Sequence, residues 1–146
     1  MPAADSRISP TAHYTSYVWV RNGLSPPALA SATGRRLYRS LWPAMALYRR
    51  VLRRPDLEEM LLLRHRCIDE RLEAAGVQQV IEIAAGFSGR GWRFTQQHPE
   101  WNYLEGDLAP QADEKRRILE GGGLFGPHHR VLPLDALVDD EVSYLK

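Results

Sequence analysis

The apolar positions of this chain are gathered most sharply between Gln79 and Gly91, in the stretch QVIEIAAGFSGRG. Val80, Ile81 and Ile83 are β-branched, as a strand packed on both faces requires, and the run then breaks into Ala84-Ala85-Gly86-Phe87-Ser88-Gly89. That order predicts a strand, a glycine turn and a short crossover helix over residues 90–97, which His98-Pro99 ends. A second strand follows over residues 103–105, then a helix over 111–119 closed by Gly121-Gly122-Gly123, then a third strand over 128–134. Pro133 lies in that third strand, and a proline there is tolerated only at an edge or a strand end.

Upstream the period is helical. Leu57, Leu61, Ile68 and Leu72 recur at multiples of about one turn, Asp56 and Glu59 form a capping-box pattern, and Gly76 closes a helix predicted over 57–74. Tyr14, Tyr17, Val18 and Arg21 place a first helix over 11–21. A weaker helix over 28–41 and a further one over 44–53 are separated by Trp42-Pro43. The aromatics of this region, Tyr14, Tyr17, Trp19, Tyr38, Trp42 and Tyr48, suit either the core of a helical cap or the lining of a substrate pocket.

Composition changes this picture little. With 146 residues, 44% apolar and 25% charged, the chain suits one soluble domain. Its longest apolar runs are far too short to span a bilayer, and no secretory pattern opens it. A lone cysteine, Cys67, has no internal disulfide partner, which makes the cytoplasm the expected compartment. Charge does change the picture: residues 1–54 carry a net charge of +8 and residues 55–146 one of −7. Seven arginines between Arg35 and Arg54 read as a solvated helical face covering the acidic remainder, in preference to a nucleic-acid patch. The expected division is thus a basic helical N-terminal cap over 1–54 and a nucleotide-binding unit over 55–146.

The candidate chemistry sits at the turn. Glycine there permits positive φ and close approach of a ligand to the backbone, and Ala84 replaces the first glycine of the GxGxxG pattern. Glu82 places a carboxylate in an apolar strand, costly unless satisfied, and Asp107 follows the glycines by about twenty residues, where doubly wound folds bind ribose hydroxyls. A dinucleotide or S-adenosylmethionine fits this order. Glu82 favours the latter, because a carboxylate repels a pyrophosphate but not a sulfonium or an ammonium. Arg64 and Arg66 lie mid-helix, and one of them could face the cleft, although a surface salt bridge with Asp69 or Glu70 is the preferred expectation. His128 and His129 are adjacent on a strand and face opposite ways, so no metal site is expected.

The stretches TAHYTSYVWVRNGLS, RHRCID, VIEIAAGFSGRG, YLEGDLAPQADEKRRIL and HHRVLPLDAL, in this order, resemble the N-terminal half of the leucine carboxyl methyltransferase family, which includes O-methyltransferases of polyketide biosynthesis. The resemblance implies an α/β, Rossmann-like class I methyltransferase fold, truncated after about three parallel strands, with an N-terminal helical cap. It implies S-adenosylmethionine as cofactor and a carboxylate or hydroxyl of a small-molecule or polyketide-like acceptor as the methylated group, with no nucleic acid or membrane as partner. Arg64 would pair with the methionine carboxylate; Glu82, Ala84 and Gly86 would shape the loop beside its amino group; Asp107 and Leu108 would meet the ribose, and Asp135 with Ala136 the adenine edge. No catalytic residue is implied.

The sequence stops at Lys146, before the family's fourth strand. The expectation is therefore a fragment or truncated member, inactive if the acceptor pocket is what it lacks, or a chain that self-associates through the exposed edge of its first strand. An NAD(P)-binding domain, disfavoured by Glu82 and Ala84, and a non-catalytic interaction module are the alternatives.

Overall fold

The computed structural model describes residues 9–138. Helix α1 (Pro10–Arg21) starts where Ser9 accepts a hydrogen bond from the Thr11 N–H and Pro10 needs no donor of its own. A single 3-10 turn (Pro27–Leu29) leads to α2 (Ala32–Leu52), capped by Ser31. The expected break at Trp42-Pro43 does not occur, and α2 runs through Pro43. The residues around Pro43, including Arg39 four residues back, are exposed. Water can therefore serve the carbonyl that the proline leaves unpaired, which removes part of the usual penalty.

Helix α3 (Leu57–Ala75) has the complete capping box predicted for it: Asp56 Oδ1 accepts from the Glu59 N–H at 3.0 Å, and Glu59 Oε2 accepts from the Asp56 N–H at 3.1 Å. Gly76 ends it in the left-handed region, at φ 63°. Its predicted apolar stripe is only partly used. Leu61, Ile68 and Leu72 are half-buried, Leu57 is exposed, and the one fully buried residue of the helix is His65.

Strands β1 (Gln79–Ile83), β2 (Asn102–Asp107) and β3 (His129–Pro133) form a parallel sheet in that order, linked by α4 (Arg90–Gln97) and α5 (Ala109–Gly121). The register pairs Glu82 with Glu105 and Glu105 with Val131. β3 is an edge strand, as Pro133 requires. The arrangement is the α/β, Rossmann-like one, with both crossover helices on one face of the sheet.

That face carries Val80, Tyr103 and Val131, which pack with Phe94 and Trp101 on one side and with Phe87, Ala112 and Leu119 on the other. The opposite face corrects the expectation of a first strand buried on both sides: Ile81 and Ile83 are 48% and 50% exposed, because no helix among the described residues lies over them.

Helices α1 and α2 share a small core of Tyr14, Val18 and Tyr38, against which Leu61 and Leu62 of α3 pack, while Trp42 and Tyr48 are exposed. Basic side chains of α1 and α2 meet the acidic start of α3, with Arg21 Nε 3.7 Å from Glu58 and Arg49 Nη1 3.7 Å from Asp56 and 3.6 Å from Glu59. The Tyr38 hydroxyl donates to Glu58 at 2.6 Å, and burial and that carboxylate push its pKa up to about 12. No helix among the described residues is long and apolar enough to cross a membrane.

Candidate functional site

The C-terminal ends of the three strands meet at the turn after β1. Ala84 and Gly86 both adopt positive φ, 56° and 52°, and a Cβ at Gly86 would meet nothing within 4 Å, so the space over the turn is open. A side chain held in this region costs of order 1 kcal/mol, and Ala84 carries that strain at the position where the glycine pattern departs. Asp107, at the end of β2, fixes the turn from the neighbouring strand. Its Oδ2 accepts the Gly86 N–H at 2.6 Å, and its Oδ1 accepts the Leu108 N–H and the Gln111 side-chain amide, each at 2.8 Å. Of these three donors only Gln111 is on a flexible side chain that a competing hydroxyl could displace. After β3 the chain returns to the same end, where the Leu134 N–H donates to the Asp107 carbonyl at 2.8 Å. Asp135 and Ala136 follow directly, with Asp135 Oδ1 accepting the Leu137 N–H at 3.0 Å.

Beside this turn, between α3 and the free edge of β1, lies a cleft of about 320 Å³ lined by Trp19, Arg64, His65, Glu82, Ala84 and Ser88, among others. Arg64 thus faces the cleft and makes no ion pair among the described residues, contrary to the expected surface bridge. Of the two expected partners, Asp69 is turned inward and taken by Arg90 and Arg93, and Glu70 is exposed with no ion pair among the described residues.

Arg90 is the centre of this arrangement. Its guanidinium donates to Asp69 Oδ1 at 2.7 Å and to Glu82 Oε1, and lies 3.1 Å from His65 Nδ1. Burial works against its charge, but Glu82 and Asp69 outweigh that and raise its pKa further. Glu82 also accepts from the Tyr103 hydroxyl at 2.9 Å; burial raises its carboxyl, and Arg90 opposes the rise. Both Glu82 oxygens therefore already have partners within the protein. His65, packed against the Trp19 ring at a centroid distance of 5.3 Å, is held neutral: burial and then Arg90 lower its pKa to about 4. With Nδ1 facing the Arg90 donor, the His65 proton belongs on Nε2.

A model of the leucine carboxyl methyltransferase family matches residues 25–145. The chain belongs to that family. Its members are S-adenosylmethionine-dependent methyltransferases, so the family fixes the reaction class as methyl transfer from that donor. No curated protein and no solved structure matches the chain.

The site residues expected in this methyltransferase fall into two groups. Ala84, Gly86, Asp107, Leu108, Asp135 and Ala136 all lie at the C-terminal end of the sheet, and Arg64 reaches the cleft beside them. Glu82 lies one residue below the turn, on the covered face, engaged with Arg90 and Tyr103.

Sequence reasoning missed His65 and Arg90, and it missed a second buried cluster beneath the sheet. There Lys115 Nζ and His129 Nε2 lie 2.8 Å and 3.0 Å from Glu105 Oε2. Burial alone would raise the Glu105 carboxyl, but Lys115 and His129 together hold it below the usual range. Gly91 is required beside this cluster, because a Cβ there would sit 2.6 Å from His129 Nε2 and 2.9 Å from Glu105. The available signal was the spacing Leu61–His65–Ile68–Leu72, which puts His65 in the middle of the inward stripe. His128 and His129 do face opposite ways, one exposed and one buried.

Proposed function

We propose that this chain binds S-adenosylmethionine across the C-terminal ends of β1, β2 and β3, for methyl transfer to an oxygen of a small-molecule, polyketide-like acceptor. The observation that carries the reading is Arg64, a guanidinium without an ion pair among the described residues, on a cleft that opens onto the positive-φ turn at Ala84 and Gly86. The donor and acceptor set fits the cofactor. Arg64 suits its carboxylate and Asp107 its ribose hydroxyls, with Gln111 giving up its place on Oδ1. Leu108 would lie beside the ribose, and Asp135 with Ala136 would meet the adenine edge. Glu82, Ala84 and Gly86 border the space for the amino group, Glu82 through the field of a carboxylate shared with Arg90.

The cofactor supplies an electrophilic methyl on sulfur, transferred by in-line displacement, so the protein's task is positioning. A carboxylate acceptor would need no general base.

The test is calorimetric titration of S-adenosylmethionine into the wild type and Asp107→Ala, with NADH as control. Removing the acceptor of the Gly86 and Leu108 N–H groups costs about 1–3 kcal/mol of stability, so circular dichroism accompanies the titration. Binding by the wild type and its loss in a folded Asp107→Ala variant is the expected result; retained affinity in that variant overturns the role of Asp107. The reading extends to assembly. Among the described residues β1 has no partner strand on its outer edge, and Ile81 and Ile83 are half-exposed on the sheet face beside it. We propose that a second copy of the chain pairs with that edge, an arrangement that would close the cleft and so compete with the cofactor.

A further inference from the structure

The side chain that sets the site's geometry need not touch the cofactor. Arg90 is 4% exposed and begins α4, with its backbone N–H held by Ser88 Oγ at 3.2 Å. Its guanidinium joins β1 through Glu82 to α3 through both Asp69 and His65, which are one helical turn apart. Arg93, from the next turn of α4, adds a second bond to Asp69. These contacts lie on α3 immediately C-terminal to Arg64, the nearer of them at the adjacent residue, His65.

Elsewhere α3 is held at its start, where Glu58 accepts from Tyr38 and Asn22 and where Leu61 and Leu62 pack on the Tyr14, Val18 and Tyr38 core, and near its end by Leu72. Over residues 64–69 its side-chain hydrogen bonds among the described residues are those to Arg90 and Arg93. Leu57, Met60 and Leu63 are exposed, and Leu61, Ile68 and Leu72 are only half-buried. Neighbouring residues on a helix differ by about 100° in direction, so a modest roll of α3 would turn Arg64, which is exposed at the rim of the cleft, away from it. Directional, charge-assisted bonds resist such a roll far better than half-buried aliphatic contacts do.

We propose that Asp69 and Arg90 form a positioning pair that holds Arg64 toward the cleft. Arg90 lines the cleft, but its guanidinium is committed to Asp69, Glu82 and His65, so the pair sets affinity for the amino-acid end of the cofactor through Arg64. The inference rests on the reading of the cleft as the S-adenosylmethionine site.

The experiment compares S-adenosylhomocysteine with 5′-methylthioadenosine, which lacks the amino-acid end, by calorimetry on wild type, Arg64→Gln, Asp69→Asn and the double variant. Expected is about a tenfold loss of S-adenosylhomocysteine affinity in each single variant, the size of one charge-assisted bond. Methylthioadenosine affinity should stay unchanged, and the double variant should be no weaker than Arg64→Gln. Arg90→Lys keeps a charge beside Glu82 but cannot span Asp69 and His65; it should give the same selective loss, and it replaces Asp69→Asn should that variant fail to fold. Parallel loss of both ligands, or additive losses in the double variant, overturns the positioning role and leaves the site reading intact. A wild type that binds neither ligand, or does not distinguish them, overturns the site reading and the inference with it.

Discussion

The two faces of the sheet follow opposite rules. On the covered face, charged groups are buried: Glu82 and Glu105 sit beneath α4 and α5, compensated by Arg90, Lys115 and His129. On the other face, apolar groups are in the open, with Ile81, Ile83 and Leu132 each at least two-fifths exposed. Burial therefore tracks where the helices lie and not how hydrophobic the strand residue is. Desolvated charges survive where each has a partner.

The largest effect should come from breaking the covered face. Lys115→Met leaves Glu105, which has no exposed surface, with the His129 ring and the Gly91 N–H as its remaining partners and without its ammonium. Removing one member of a buried pair costs about 3–5 kcal/mol, read as a lowered urea midpoint at unchanged slope. Adding Glu105→Gln should recover much of that loss, because the uncompensated charge goes with it. A loss within 1 kcal/mol for Lys115→Met would show that the cluster is not compensated as described.

Acid titration probes the same face at its junction with α3. The folded-state pKa of His65, about 4, lies below the ordinary value of 6.5, so the unfolded chain takes up a proton first as pH falls. Stability from this group is full above about pH 6.5 and is lost progressively down to about pH 4, by about 3 kcal/mol. His65→Gln should flatten the stability profile across that window. An unchanged profile would mean that His65 is not held neutral by its surroundings.

What could be read from the sequence follows from the range of each signal. The capping box of α3, the strand–turn–helix order around Gly86 and the edge position of β3 each depend on residues close together in the chain, and all appear in the structure. Asp107 was legible as an acid at a strand end, but its bond to Gly86, 21 residues away, was not. The Arg90 and Glu105 networks join residues 8 to 25 positions apart, and an isolated charge in a sequence looks solvent-facing whatever its partner. The surface bridge expected for Arg64 fails for the same reason: one of its two candidate acids, Asp69, has distant claimants in Arg90 and Arg93. Pro43 misled in the opposite direction, since a strong local breaker was outweighed by a helix whose Pro43 region lies in solvent.

The smallest effect on stability, and the sharpest contrast with Lys115→Met, belongs to the open face. Ile81→Lys changes a half-exposed side chain with no charged partner to lose, so stability should move by no more than about 0.5 kcal/mol. Its effect should instead be on association. A lysine on an edge strand raises the cost of pairing with another chain, because the incoming strand must desolvate the ammonium. If β1 pairs with a second copy, light scattering after size exclusion should show the wild type heavier than one chain and Ile81→Lys shifted toward the monomer at equal concentration. A wild type that runs as a monomer at every concentration would refute pairing through β1. Association that Ile81→Lys leaves untouched would place the contact elsewhere, and the open face would then be apolar for a reason other than self-pairing.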